Sequence, residues 1–557
     1  MIGPGWFDRA EALQRLAEDP FDVVVVGGGI TGAGAALDAA SRGLRTALVE
    51  RDDFASGTSS KSSKLVHGGL RYLQQGEFRL VYEALHERQR LRHNAPHLVK
   101  ILPFLLPVFT GRGGVIPKKL SRALGSAMWL YDMTGGARIG KLHQRISPDE
   151  ALAHMPTLNR DRLASSYLYY DAQADDARLT LTLARTAAID FGAVVANGVS
   201  LVGVDKDDAG RVTGARLQAD GEQISVSCSA LVNATGVWSD DVRALDEGAH
   251  PGSIRPAKGI HITVPWAKVR NDIAAVVPVP KDKRSVFVVP WGDVTYVGTT
   301  DTDYDGSIDD PQCTAEDVAY LLSALNHAVT TELTERDVLG TWAGLRPLVN
   351  RATSGRTADL SRRHQVHSSD SGMVTITGGK LTTYREMAAD TVDVVLASLD
   401  DRVVTRVAKR CRTKSLRLRG AEGYEAAAQS DDPLSVHLAE RYGGEARTLH
   451  AMIEADTSLG EPLVEGLPYV RAEAVYAARY EMARNVDDVL SRRTRARLLS
   501  RDASAAAAHQ VADLIGDVLG LSAGDRAAQA EAYRASVTAE RTSAGLPETA
   551  LDAVLGA

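Results

Sequence analysis

Residues 21–50 read FDVVVVGGGITGAGAALDAASRGLRTALVE. Four consecutive valines, Val23 to Val26, predict a strand buried on both faces, because a parallel strand covered on each side shows no polar alternation. Gly27, Gly29 and Gly32 follow as G-x-G-x-x-G, where strand should give way to helix. Gly27 allows the tight turn, Gly29 lets backbone N–H groups approach a pyrophosphate, and Gly32 lets helix pack close on strand. The alanine-rich run 33–41 predicts that helix, closed by Gly43. Its N-terminus favours phosphate charge. Residues 46–49 predict a second strand, and Glu50 at its end stands where a carboxylate accepts hydrogen bonds from a ribose 2′-OH. Strand, glycines, helix, strand and acid in this order predict a dinucleotide site. The element does not decide between FAD and NAD.

Composition bounds the rest. A chain of 557 residues exceeds what one core supports, so two to four domains are expected. Hydrophobic content of 44% and charged content of 24% are those of an ordinary soluble globular protein. A net charge of −7 argues against a nucleic-acid partner and leaves only local basic patches. Cys228, Cys313 and Cys411 are far apart and outside any C-x-x-C, which argues against disulfides, a zinc ribbon or a thiol redox pair and fits a reducing cytosol. No metal site is expected. The most apolar window, 101–109, is short and broken by Pro103 and Pro107, so no membrane-spanning helix is expected. The first twenty residues are acidic and amphipathic, unlike a secretory signal, and predict a short helix packed on the first domain.

Outward from the motif, residues 58–63 form a hydroxyl-rich loop and Gly68-Gly69 a second close-approach point. Such a loop suits a phosphate or sugar chain, and equally a solvated surface. Residues 79–93 predict an amphipathic helix. Residues 116–131 predict another, with Lys118, Lys119 and Arg122 near one end and Met128, Trp129 and Leu130 near the other. That pattern suits an interfacial membrane contact or a helix packed between domains. A helix over 176–190, a strand over 193–196 and two strands about the turn 207–210 follow. Residues 230–236, ALVNATG, predict a strand ending in small residues, at the carboxyl end where ligands of parallel sheets bind. Residues 255–300 are strand-rich. Within them Ile260, Ile262 and Val264 share one face, and His261 and Thr263 the other. A helix is expected over 314–327. Residues 373–389 read as strand, Gly378-Gly379 turn and helix from near Thr382. The run 402–419 carries many cations and no acid, which fits either anionic lipid heads or a solvated strand and linker. From about 415 the alanine-rich helical pattern marks a separate domain.

The motifs VVGGGITGAG with Glu50, TSSKSSKLVHGGLRYL, LVNATGVWS, KGIHITV, VGTTDTDY, GLRPL, GGKLTTYR and DDVLSRRTR occur in this order. Through them, from about residue 20 to residue 500, the chain resembles the FAD-dependent glycerol-3-phosphate dehydrogenases of the flavin-linked respiratory type. The resemblance implies an α/β fold. A discontinuous, glutathione-reductase-type FAD-binding Rossmann domain would take 1–100, 171–250 and 347–400. An antiparallel-sheet substrate domain would take 101–170 and 251–346, and a C-terminal α-helical domain 415–557. It also implies oxidation of sn-glycerol 3-phosphate to dihydroxyacetone phosphate, with hydride passing from C2 to flavin N5 and electrons to a membrane quinone. The enzyme would be cytoplasmic, held peripherally at the inner face of the cell membrane, and a homodimer is admissible. The alternatives are a glycerol-3-phosphate oxidase using oxygen, a flavoenzyme for amines or hydroxy acids, and a non-catalytic FAD-binding protein.

The same resemblance, with the chemistry required, assigns residues. A base must take the C2 hydroxyl proton, and His261 suits that role because imidazole titrates near neutrality. Arg71 in GGLRYL offers a bidentate fork to the phosphate, with Tyr72 as a neighbouring donor. Arg346 and Lys380 are the other active-site cations, set to polarise the developing carbonyl or offset charge on the reduced flavin. The sequence leaves open which cation meets phosphate and which the carbonyl. Expected cofactor contacts are Gly27, Gly28, Gly29, Ile30, Thr31, Gly32, Glu50 and Arg51 in the first unit. Thr58, Ser59, Ser62, Ser63, Lys64, Leu65, His67, Gly68 and Gly69 follow in the loop. Ala234, Thr235, Gly236, Asp301, Gly379, Lys380, Leu381 and Thr382 complete the set. A covalent flavin link at His67 is disfavoured, since the family holds FAD non-covalently. DDVLSRRTR reads as a structural ion-pair helix.

Overall fold

The computed structural model describes residues 7–70, 72, 76–109, 118–135, 139–280, 284–349 and 363–549. The four valines form the strand Val23–Val26, buried on both faces. Val23 and Val25 pack on the helices Ile30–Arg42, Asp176–Phe191 and Tyr384–Ser398. Val24 and Val26 pack on a three-stranded antiparallel sheet made of Val199–Lys206, Val212–Ala219 and Glu222–Ser227. Each valine so enclosed contributes about 2 kcal/mol of apolar burial. The helix Ile30–Arg42 ends on Gly43 at φ 99°, whose N–H reaches the carbonyls of Ala39 and Ala40. A left-handed residue there costs glycine little, which is why it stops the helix.

Around this strand the first sheet runs in the order Gln365–Ser368, Val374–Thr377, Leu231–Asn233, Val23–Val26, Thr46–Glu50, Val194–Asn197. The inner pairings are parallel, and the first two strands form an antiparallel edge hairpin. The N-terminal helix, Arg9–Glu18, buries Ala12 and Leu16 against the same core as Val24 and Val26.

A second, ten-stranded sheet runs Thr302–Asp303, Ile254–Pro265, Val294–Gly298, Ser285–Trp291, Ala274–Pro278, Val99–Phe109, Leu163–Ala174, Leu65–Val66. Gly340–Val349 pairs with Ile254–Pro265, and Gln144–Ile146 with Leu163–Ala174. The sheet is antiparallel apart from the pairing of Ala274–Pro278 with Val99–Phe109. The apolar, proline-broken window 101–109 is therefore a strand. The expected domain limits at 100, 170 and 346 all fall inside strands of this sheet. Leu65–Val66, directly after the hydroxyl-rich loop, pairs with Leu163–Ala174, which ties that loop to the second sheet.

The C-terminal region is helical, including Pro433–Tyr442, Ala446–Ala455, Arg471–Tyr480, Ala508–Leu519 and Ala523–Ser543. Val489, Val511, Ile515 and Tyr533 lie in its core. One expectation needs correction and another is extended. The basic run 402–419 contains no strand; it opens with the short helix Asp401–Val404 and continues as turns. Several of its cations face protein acids: Arg406 pairs with Asp22, and Arg419 with Asp190 and Glu445. The segment DDVLSRRTR is a π-helical turn, Asp488–Arg493, whose arginines reach outside their own domain. Arg492 and Arg493 pair with Asp53, and Arg495 with Asp176. Among the described residues no helix is long and apolar enough to cross a membrane.

Candidate active site

The turn after Val26 shows why glycine is required. A Cβ on Gly32 would sit 1.9 Å from the Gly27 carbonyl oxygen, and one on Gly27 would sit 2.7 Å from that of Ala234. Gly27 itself has φ 109°, outside the range of ordinary side-chain-bearing residues. Gly29 caps the helix Ile30–Arg42, and the hydroxyl of Ser59 accepts the N–H of Ile30 at 2.9 Å. Glu50 accepts the N–H of Gly28 at 2.5 Å and that of Asp52 at 2.9 Å. Burial pushes its carboxyl up to about 7, against the lowering effect of those two donors.

These groups form one end of a cleft of about 370 Å³. Gly27, Gly29, Ile30, Thr31, Glu50, Arg51, Thr58 and Ser59 line it from the first unit and its loop. Ala234, Thr235, Gly236, Gly379, Lys380 and Leu381 line it from the two distant glycine turns. Backbone approach, a helix N-terminus and a ribose-ready carboxylate within one cleft fit a dinucleotide. A larger cavity of about 770 Å³ lies against the C-terminal helices. Its walls include charges already paired with each other, such as Arg497 with Glu540 and Arg492 with Asp487, and it lacks these glycine approaches. The smaller cleft is therefore the candidate cofactor site.

His261 lies on the strand Ile254–Pro265 and is 2% exposed. Its ring stacks on Trp342 with centroids 4.7 Å apart and planes 7° apart, and meets Tyr296 edge-on. Its Nε2 lies 2.8 Å from the hydroxyl oxygen of Ser63. Burial, then the positive charges of Lys64 and Arg346, hold the imidazole well below its usual pKa. The ring is neutral at pH 7, which is the form able to accept a proton. Arg346 donates to Thr299 Oγ1 at 3.0 Å and lies 3.3 Å from Asp301. Lys380 stands over the ring of Tyr72 at 3.7 Å from its centroid. That is within the range of a cation–π contact.

Residues 22–385 match the model of the FAD-dependent oxidoreductases, and residues 411–526 that of the C-terminal domain of alpha-glycerophosphate oxidase. Glycerol-3-phosphate dehydrogenase 2 of Mycobacterium tuberculosis is 41% identical over 559 aligned residues, covering 98% of this chain and 93% of that protein. The chain belongs to the FAD-dependent glycerol-3-phosphate dehydrogenase family. The mitochondrial glycerol-3-phosphate dehydrogenase of Mesocricetus auratus is 38% identical over 90% of this chain and 71% of its own length. The glycerol-3-phosphate dehydrogenase of Bacillus halodurans, solved in complex with FAD, superposes with a TM-score of 0.75 at 28% identity, covering 98% and 99% of the two chains. FAD is accordingly the dinucleotide of this family member.

Not every residue expected at the cofactor faces the cleft. Gly28 packs beneath it against Glu50, and Gly32 is enclosed against Gly27. Leu65 is core. The backbone N–H of His67 donates to Thr382 Oγ1 at 3.1 Å, while Gly68 and Gly69 give room to Tyr131 and Tyr72. Asp301 faces Arg346. Ser62 donates to Asp176, and Lys64, fully enclosed, pairs with the same acid, so neither side chain is on the cleft wall. Arg71 lies outside the described residues. Sequence reasoning missed Trp342, the cross-strand partner of His261. A signal existed: Trp342, Gly344 and Arg346 share one face of a strand, so an active-site arginine implies an active-site tryptophan four positions earlier. Nothing local announced Asp176 or Tyr296.

Proposed function

We propose that this chain oxidises sn-glycerol 3-phosphate to dihydroxyacetone phosphate and passes the electrons to a membrane quinone. The observation that carries the reading is the enclosed, neutral imidazole of His261 beside Arg346. When bound, FAD supplies the two-electron acceptor. His261 takes the C2 hydroxyl proton while the C2–H bond gives up its hydride, leaving the C2 carbonyl. Arg346 and Lys380 supply positive charge where the substrate gains negative character. Arg71, from its motif, holds the phosphate with Tyr72 beside it. His261 is enclosed between Trp342 and Tyr296, a setting that favours a proton transfer shielded from water.

Membrane contact is supported by the helix Lys118–Met133, on which Trp129 is 57% and Met133 80% exposed. Apolar side chains presented this way suit the headgroup boundary. Relatives named as glycerol-3-phosphate dehydrogenases support the substrate.

The test is anaerobic titration of the yellow protein with sn-glycerol 3-phosphate. The flavin absorbance should bleach with that ligand and not with glycerol. His261→Ala should keep FAD and lose reduction rate by about 100-fold or more. A flavin that stays oxidised in the unaltered protein would sink the substrate assignment. Stoichiometric peroxide under air, with no acceleration by quinone and lipid, would convert the reading to an oxidase.

A further inference from the structure

Residues 62–64 join the cofactor loop to the histidine: Ser62 and Lys64 share Asp176, and Ser63 alone meets His261. Ser62 donates its N–H and hydroxyl to Asp176 Oδ2 at 3.0 and 2.7 Å. Lys64 Nζ donates to Asp176 Oδ1 and to the Ser60 carbonyl, both at 2.9 Å. Arg495, from the C-terminal domain, donates to the same two acceptors at 2.9 and 2.6 Å. Lys64 and Arg495 both hold positive φ, at 56° and 82°, conformations that persist only where the surroundings enforce them. Between these anchors the carbonyl of Ser63 accepts from the Tyr296 hydroxyl at 2.9 Å. Its own hydroxyl is left to face His261 Nε2.

We infer that Ser63 is the positioning residue of His261, and that Arg495 holds it in place through Asp176. The inference rests on His261 being the base. In this arrangement we assign the Ser63 oxygen as acceptor of the Nε2–H of the neutral ring, the tautomer that puts the lone pair on Nδ1. Nδ1 is buried and has no hydrogen-bond partner among the described residues, and with this tautomer it is the nitrogen assigned to take the substrate proton. Trp342 fixes the plane of the ring and Ser63 fixes its rotation within that plane. The groups around the imidazole are Ser63 and Lys64 from the loop, Tyr296 from the strand Val294–Gly298, and Trp342 and Arg346 from the strand Gly340–Val349. Asp176, the acid of this array, is bound to Lys64, Ser62 and Arg495 rather than to the ring. A neutral hydroxyl orients the base without the charge of a carboxylate, and so leaves the ring uncharged before substrate arrives.

The experiment compares holoenzymes carrying Ser63→Ala, Ser63→Thr, Arg495→Gln and His261→Ala by anaerobic rapid mixing with sn-glycerol 3-phosphate. Ser63→Ala should keep its flavin spectrum and substrate dissociation constant while the reduction rate falls about 10- to 100-fold. Ser63→Thr, which retains the acceptor oxygen, should recover most of that rate. Arg495→Gln should slow reduction at least about fivefold with FAD still bound, by loosening the same loop. Ser63→Ala reducing at the unaltered rate, or Ser63→Thr as slow as Ser63→Ala, would overturn the proposal while His261→Ala remains inactive. An unchanged rate in Arg495→Gln would remove the C-terminal domain from the device. If His261→Ala itself reduces normally, the base assignment fails and this inference fails with it.

Discussion

Glu445→Gln tests whether the C-terminal helices are clamped by charge. Glu445 is 7% exposed and lies between two guanidiniums. Arg185 donates to it at 2.6 and 3.3 Å, and Arg419 at 2.8 and 3.1 Å. Burial alone would push this carboxyl up; Arg185 and Arg419 outweigh it and hold it at about 2, against an ordinary 4.5. That difference corresponds to about 3 kcal/mol, at about 1.4 kcal/mol per pH unit. Glutamine keeps the shape and removes the charge. Arg185 is then left with Glu481 at 3.9 Å as its next acid. Breaking a buried pair from one side costs about 3–5 kcal/mol, in agreement. The folded carboxyl titrates below the unfolded one, so the stabilisation is full above about pH 4.5 and disappears as pH falls towards 2. Urea unfolding followed by far-UV circular dichroism should show the variant's midpoint lowered by about 1 M at pH 7. The gap between variant and unaltered protein should shrink at pH 3.5. An unchanged midpoint at pH 7, or an equal gap at both pH values, would refute the clamp.

Three further outcomes are expected. Gly32→Ala should yield protein without flavin, because the new methyl would meet the Gly27 carbonyl at 1.9 Å; a yellow variant with unaltered FAD affinity would refute the close-approach argument. FAD binding to the apoprotein should strengthen up to about tenfold per unit between pH 6 and 7, because ribose donors favour the ionised form of a Glu50 held at about 7. Glu50→Gln should bind weakly with no such slope, and a slope that survives the substitution would point to another group. Arg71→Ala should raise the KM for sn-glycerol 3-phosphate by about 10-fold or more, with kcat changed much less; an unchanged KM would remove it from the phosphate.

What the sequence disclosed follows the range of the forces involved. The strand Val23–Val26, the glycine turn, the helix and Gly43 are each dictated by a residue's own backbone preference or its immediate neighbours. They could be read in order, and so could the helical C-terminal domain. His261 could be placed opposite three aliphatics because strand alternation is local. Ser62, Ser63 and Lys64 read as cofactor contacts through the family resemblance and because hydroxyls suit a phosphate. Their partners are Asp176, 114 positions away from Ser62, and His261, 198 positions away from Ser63. No local pattern encodes such a meeting. The same limit applies to Arg492, Arg493 and Arg495, whose segment reads from the sequence as a structural ion-pair helix with no hint of its distant partners. Arg492 does pair with the neighbouring Asp487 and Asp488, but Asp53 and Asp176, from the other end of the chain, are added as partners of the three arginines.

The order of strands in the first sheet has a consequence for how the protein is made. Val23–Val26 waits for Leu231–Asn233 on one side, and that strand waits for Val374–Thr377. At about 5–20 residues per second, a ribosome needs roughly 20–75 s to deliver the last of these strands. Until residue 233 is made the valine strand offers an open edge rich in β-branched residues, the kind that pairs with other chains, and from then until residue 377 the open edge is that of Leu231–Asn233. The N-terminal helix and the three-stranded sheet, both encoded before residue 230, can cover one face of that strand early. The nascent chain thus shields its most adhesive segment in two stages. The FAD cleft is complete only once Gly379 and Lys380 have followed the last strand of the sheet.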